Sequence, residues 1–144
     1  MRLTVEKITD KKSLDQAFRI RNLVFVIEQE VDAAAEYDQF EEVSSHFLAK
    51  LNGQPIGTAR WRITEKGVKM ERFAVLKEAR GKGVGQALVA AVLDDVNSHP
   101  QAKGKTKYLH SQLTAMPLYA KFGFEKVGDM FEECTIQHYK MELA

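Results

Sequence analysis

Cysteine is almost absent from this 144-residue chain, and the single Cys134 rules out an internal disulfide framework and suits a reducing compartment. Charge of one sign is missing too. Twenty-one Lys and Arg against 20 Asp and Glu leave a formal net charge of +1. Nothing in that total recommends nucleic acid or an anionic membrane as a partner. No apolar run approaches the ~20 residues of a membrane span. The opening Met1-Arg2-Leu3-Thr4-Val5-Glu6 has no signal-peptide apolar segment. A cytoplasmic location is therefore expected. Four histidines, His46, His99, His110 and His138, are scattered without metal-ligand spacing, so no metal is expected. Repeats, low-complexity tracts and Pro/Gly/Ser linkers are also lacking. The length predicts a single domain over residues 1–144, and 44% apolar with 28% charged residues is an ordinary globular composition.

What is present is a succession of periodic segments. Met1 to Lys7 alternates like a strand. Ser13-Leu14-Asp15-Gln16 reads as a capping box, after which Leu14, Ala17, Phe18, Arg21 and Val24 predict a helix to about Val26. Glu28 to Glu42 holds seven acidic residues and no Lys or Arg, and reads as a surface loop or short helix. From His46 the period switches to two. Phe47, Ala49 and Leu51 share one face, Asn52-Gly53-Gln54-Pro55 turns, and Gly57, Ala59, Trp61 and Ile63 alternate with Thr58, Arg60 and Arg62. A third strand, Val68 to Val75, completes an antiparallel meander. Val84, Leu88, Ala91, Val92 and Val96 then form a helical stripe. A strand over Thr106 to Ser111, a short helix over Thr114 to Phe122 and an alternating tail from Thr135 to Leu143 follow. The order β-α-(α)-β-β-β-α-β-α-β-β predicts a mixed sheet flanked by helices, an α/β fold in the broad (α+β) sense.

The chemistry concentrates between the third strand and the helix after it. Gly81, Gly83 and Gly85 strip the side chains from a turn that opens a helix, so backbone can curl closely around a ligand. A helix N-terminus adds unpaired amides and about half a positive charge, and Arg80 and Lys82 add mobile charge beside it. The turn reads as a phosphate or pyrophosphate cradle, against the blander reading of a connector. It is not a P-loop, because Lys82 is followed by Gly83 rather than a hydroxyl. It is not a dinucleotide fingerprint either, because Gln86 stands where a third glycine belongs.

The spacing Arg80, Gly83, Gly85 fits Arg/Gln-x-x-Gly-x-Gly/Ala, and here the sequence resembles the GNAT superfamily of N-acetyltransferases. Phe73-Ala74-Val75 running into Ala79-Arg80-Gly81-Lys82-Gly83-Val84-Gly85-Gln86 looks like that family's cofactor motif. Pro117-Leu118-Tyr119-Ala120-Lys121-Phe122-Gly123-Phe124 is similar to its later Leu-Tyr-x-x-x-Gly-Phe segment. The resemblance implies a largely antiparallel central sheet with about four helices, and acetyl-CoA as cofactor. It implies that the amides of Gly81, Lys82, Gly83, Val84, Gly85 and Gln86, with Arg80 beside them, hold the pyrophosphate. It also implies that Phe73, Ala74 and Val75 pair with the pantetheine arm, the Val75 amide polarising the thioester. Tyr119 would be the general acid for the departing thiolate; its blander reading is a core aromatic.

A lysine-like amine has pKa ~10.4, so reaching its neutral form at pH 7 costs about 4.6 kcal/mol and calls for a base. Glu71 is the candidate, sharing a face with Phe73 and Val75 by period-two alternation; the alternative is a carboxylate paired with a neighbouring Lys or Arg. The resemblance puts the acidic stretch along the acceptor wall, where it would draw in a cationic amine, with Glu28, Tyr37 and Asp38 as candidate contacts; a solubilising surface is the alternative. His46 and His110 read as ordinary strand histidines, and Cys134 as no nucleophile. The expected activity is acetyl transfer to a small-molecule or peptide amine by direct attack in a ternary complex. The alternative is a non-catalytic acyl-CoA-binding protein on the same scaffold. A monomer or a homodimer is expected.

Overall fold

The computed structural model describes residues 2–143. Seven strands alternate with helices: β1 (Leu3–Lys7), α1 (Lys11–Arg21), a π-helix (Asn22–Glu28), α2 (Ala33–Glu36), β2 (Ser45–Leu51), β3 (Gln54–Thr64), β4 (Gly67–Val75), α3 (Val84–Ser98), β5 (Lys107–Gln112), α4 (Met116–Ala120), β6 (Phe124–Glu133) and β7 (Ile136–Leu143). The strands form one sheet in the order β1-β2-β3-β4-β5-β7-β6. Every neighbouring pair is antiparallel except β4 and β5. The mixed, largely antiparallel sheet with four α-helices is thus the predicted architecture.

Helices cover both faces. Val84, Leu88, Val89, Val92 and Val96 of α3 pack on Phe47, Ala49, Ala59, Trp61, Val68 and Met70. Ala17 and Ile20 of α1, with Val24 just beyond it, pack on Leu48 and Ala74. Each such buried aliphatic side chain contributes about 1.5–3 kcal/mol by leaving water. The approach of α3 is close because β3 carries Gly57 beneath it. A Cβ there would sit 3.0 Å from Val84 Cγ1 and 3.1 Å from Leu88 Cδ1.

Three local expectations need correction. The cap of α1 is Asp10, whose carboxylate accepts the Ser13 amide at 2.7 Å, so the helix starts ahead of the Ser13 box. A carboxylate at the N-cap is as good an acceptor as a serine hydroxyl and carries the charge the helix dipole favours. Secondly, the helix reaches Glu28, but its last seven residues wind as a π-helix. The wider turn rotates Val24, Phe25 and Glu28 toward the sheet and leaves Ile27 63% exposed.

The third correction concerns β4. Arg60 pairs with Glu71 but Thr58 pairs with Ala74, so β4 holds one residue more than β3 across this stretch. The extra residue is Arg72, with φ of 59°. A bulge of this kind inverts the alternation beyond it. Val68 and Met70 face α3 and so do Phe73 and Val75, whereas Ala74 faces α1. Glu71 therefore does not share a face with Phe73 and Val75.

β4 and β5 are clasped only at one end. They pair at Val68↔Lys107 and Lys69↔Tyr108, and Val68 N–H donates to Thr106 O at 2.8 Å. Gly67, with φ of 136°, makes the clasp possible, because a Cβ there would run into the Thr106 carbonyl. Beyond the clasp the two strands part.

Candidate active site

The parting of β4 and β5 opens a cavity of about 1100 Å³ that runs through the sheet. On the α3 side it is bounded by Gly81, Gly83, Gly85, Leu118 and Tyr119, and on the α1 side by Phe25, Val31, Glu71, His110 and Glu133. The edge of β4 from Phe73 to Val75 forms its waist. Leu76 N–H bonds back to Ile56 O at 2.9 Å on β3, so by strand alternation the Phe73 and Val75 amides turn toward the gap.

At the α3 end the turn is open. The first amide after Arg80 to find a backbone acceptor is that of Ala87, which donates to Gly83 O at 3.1 Å. Gly81 and Gly83 have φ of 78° and 83°, and a Cβ on either would point into empty space. Gly85 differs: a Cβ there would meet Leu118 Cδ2 at 3.1 Å, so this glycine lets α3 and α4 touch. Lys82 lies outside the cavity wall, while Arg80 and Gln86 line it. Free amides, open glycine positions and an unpaired strand edge together fit an acyl-CoA, with its pyrophosphate at the turn and its amide-bearing arm along β4.

Tyr119 stands where the turn half of the cavity meets the waist. Its ring lies edge-on to Phe73 at 5.5 Å and to Phe124 at 6.3 Å, and the residue is 6% exposed. The hydroxyl has no hydrogen-bond partner among the described residues. Burial pushes its pKa well above that of a free tyrosine, so it stays protonated and able to donate.

The acidic stretch is only partly the free surface that the sequence suggests: Glu28, Glu30, Asp32 and Glu42 are exposed, but three of its carboxylates turn inward. Glu36 of α2 is 4% exposed and accepts from Arg21 Nε at 2.8 Å. Glu41 takes both terminal nitrogens of Arg21 at 2.8 Å. Asp38 chelates Arg60 at 3.0 and 2.7 Å and meets Arg72 at 3.2 Å. Arg21 and Arg60 are buried guanidiniums that α1 and β3 carry under this segment, and burying them unpaired would be prohibitive, so the carboxylates turn inward. The Tyr37 hydroxyl donates to Phe18 O at 2.9 Å. Neither Tyr37 nor Asp38 lines the cavity; Glu28 does.

Two links from the end of the π-helix cross the wedge. Glu28 takes Arg80 in a bidentate pair at 2.6 and 2.7 Å, while Arg80 Nε also donates to Val75 O at 3.0 Å. Gln112 Nε2 donates to Gln29 Oε1 at 2.8 Å.

Glu71 lines the cavity with its oxygens engaged. Arg60 Nε donates to it at 2.9 Å and Arg62 Nε at 2.7 Å, with Lys69 Nζ at 3.4 Å. Burial alone would raise its pKa, but Arg60, the Arg62 hydrogen bond and Lys69 outweigh it and hold the carboxyl below its ordinary value. A carboxylate so placed is a counter-ion before it is a base.

His110, which the sequence reads as an ordinary strand histidine, lies in the cavity wall. It projects from β5 into the cavity, with Nδ1 3.1 Å from Glu133 Oε2. The only sequence signal was alternation with Tyr108 and Gln112, and nothing in the chain order announces a partner on β6. His46, by contrast, is structural as expected: buried, with Nε2 on Glu41 O at 2.8 Å. Among the described residues no helix is long and apolar enough to cross a membrane, and no cluster of possible metal ligands occurs.

Comparison with known proteins agrees with this geometry. The family described as acetyltransferase (GNAT) domain matches residues 10–144. An uncharacterized Bacillus subtilis protein, YyaT, is 36% identical, covering 96% of this chain and 94% of its own. Among solved structures, Escherichia coli ElaA superposes with a TM-score of 0.87 at 24% identity, over 99% of this chain and 100% of that one. An acyl-CoA N-acyltransferase from Pseudomonas aeruginosa gives 0.84 at 26%, over 99% of both. A more distant structure of the same fold, a GNAT acetyltransferase from Elizabethkingia anophelis (TM-score 0.69, 18% identity, 97% and 94% covered), holds acetyl-CoA.

Proposed function

The chain belongs to the GNAT acetyltransferase family, and we propose that residues 1–144 act as one domain moving an acetyl group from acetyl-CoA to a primary amine, of a small molecule or a peptide, by direct attack in a ternary complex. Acyl transfer from an acyl-CoA follows from the family; the amine and the direct attack are the proposal. The observation that carries it is the cavity passing through the sheet at the β4–β5 wedge. A donor lying on the α3 side and an acceptor entering from the α1 side meet at the waist, with no covalent relay needed.

The amides of Gly81 to Gln86 hold the pyrophosphate, with Lys82 supplying free charge beside it and Arg80, paired with Glu28, bracing the turn against Val75 O. Phe73, Ala74 and Val75 offer their backbone edge to the pantetheine arm, and the Val75 amide faces the carbonyl on which negative charge develops. Tyr119 returns a proton to the thiolate. Glu28 belongs to the acceptor wall, whereas Tyr37 and Asp38 support that wall through Phe18, Arg60 and Arg72. Glu71 serves the same wall as the counter-ion of Arg60, Arg62 and Lys69.

Titration calorimetry with acetyl-CoA tests the placement. The wild type binds, while Gly83→Glu, checked for a native thermal transition, puts a carboxylate into the cradle and binds at least 10-fold more weakly. Equal binding would move the pyrophosphate elsewhere, and no binding by the wild type would remove the reading altogether. Consumption of acetyl-CoA with a panel of primary amines then tests turnover.

A further inference from the structure

We propose that His110 is the general base of the acetyl transfer, held in position by Glu133; the inference rests on the reading in the preceding section. His110 is the first residue of β5 after the strand leaves β4 whose side chain can enter the wedge from the acceptor side. Tyr108 is the last β5 residue paired with β4, opposite Lys69, and Leu109 packs into the α3-side core. Alternation then turns His110 to the α1 side, where the acceptor enters and the cavity wall includes it. Its Nδ1 lies 3.1 Å from Glu133 Oε2, and its Nε2 has no partner among the described residues. With Nδ1–H donated to the carboxylate, Nε2 carries the lone pair that a base needs.

The surroundings support that tautomer. The hydrogen bond to His110 is the main cause that holds the Glu133 carboxyl down to about 2, so it remains an anion through the working range. The other charged or titratable groups around the pair are Lys69 on β4, His138 and Lys140 on β7, and Tyr108 on β5 itself. Phe131 closes one side of the imidazole, edge-on at 5.0 Å. Glu71, on the opposite wall, is tied to four cations and offers no such free site.

The proton balance closes with two groups. An ammonium acceptor gives one proton to Nε2, directly or through one water, and becomes the neutral nucleophile. Its nitrogen bonds to the acetyl carbon and the carbon–sulfur bond breaks. The second proton shed by that nitrogen reaches the thiolate by way of Tyr119. The proton on His110 leaves to solvent, so thioester and ammonium give amide, thiol and one proton.

The experiment uses His110→Gln and Glu133→Gln in the full chain, each checked by calorimetry for acetyl-CoA binding and by thermal melting. The acceptors are cadaverine, lysine amide and a hexapeptide with a free N-terminus, with trifluoroethylamine as an amine already neutral at pH 7. We expect His110→Gln to bind acetyl-CoA as the wild type does and to lose about 100-fold or more in kcat with the best ammonium acceptor. The loss with trifluoroethylamine should be much smaller, and with the ammonium acceptors the acid limb of the kcat/KM profile should move up toward the pKa of the amine itself, ~10.4 for a lysine-like one. Glu133→Gln, which takes the carboxylate acceptor from Nδ1, should lower kcat with the ammonium acceptors more than with trifluoroethylamine, a split that mere loosening of the strand would not give. Equal losses with both amine classes, or an unchanged acid limb in His110→Gln, would overturn the inference while leaving acetyl transfer intact. Acetyl-CoA that binds but is consumed with none of these amines would overturn both.

Discussion

Tyr119 and Glu71 show how one residue's role is decided by what surrounds its polar atoms. The Tyr119 ring packs against Phe73 and Phe124 while its hydroxyl, without a partner among the described residues, is kept protonated by burial at the cavity wall, so removing it should touch chemistry and little else. Tyr119→Phe is expected to lower kcat by about 10- to 100-fold with acetyl-CoA affinity unchanged, read by steady-state kinetics beside calorimetry. A change confined to KM would make it a packing residue. Glu71 is the converse case. Glu71→Gln removes one of three carboxylates around the buried Arg60, which keeps Asp38 and Glu41, and stability should fall by about 1–3 kcal/mol. Urea unfolding checks this. A variant with a wild-type midpoint but no activity would restore Glu71 as a base.

At the scale of elements, two glycines carry opposite duties. Gly83 is free of neighbours and stands open to a ligand, whereas Gly67 serves the fold by letting β4 meet Thr106. Gly67→Ala should force the clasp open, lowering the thermal midpoint and widening the wedge. We expect about 2 kcal/mol or more in urea unfolding, against about 1 kcal/mol for Gly83→Ala, whose cost is its positive φ alone. Equal costs would mean that the clasp is not what holds the wedge to its width. The π-helix is the other element whose form matters more than its existence, since its wider turn delivers Glu28 to Arg80 and Gln29 to Gln112.

Over the whole molecule, the opposed charges that cancel to +1 in the sum are not spread evenly. Arg21, Arg60, Arg62 and Arg72 meet Glu36, Asp38, Glu41 and Glu71 in one partly buried network. Asp38 and Glu133 are each held at about 2, Glu41 and Glu71 also lie below their ordinary values, and burial pushes Glu36 the other way. For a carboxyl depressed in the folded state, the unfolded chain takes up the proton first as pH falls. The stability it contributes is complete above the unfolded value, near pH ~4.3, and is lost on the way down to the folded one. The urea midpoint should therefore fall slightly from pH 7 to 5, as the unfolded chain protonates His46 more readily than the fold does, and drop steeply between pH 4 and 2. A midpoint at pH 3 equal to that at pH 7 would show that the network adds nothing to folding.

The amino-acid order alone determined the succession of strands and helices, the meander of β2 to β4, and the glycine turn ahead of α3. These are set by periodicities of two and 3.6 and by glycine, which act within a few residues of chain. The motifs around Gly83 and Tyr119 belong to that same local range. What depended on contacts between distant segments was decided by tertiary structure. One extra residue at Arg72 inverted the face of Glu71. Arginines from α1, β3 and β4 turned Glu36, Asp38 and Glu41 inward and took Asp38 out of the cavity. Glu133, 23 residues beyond His110, gave that histidine a partner. Alternation cannot see a bulge, and a charge in sequence has no sign of where its counter-charge will lie; both are settled only when the sheet closes and burial makes an unpaired charge too costly to keep.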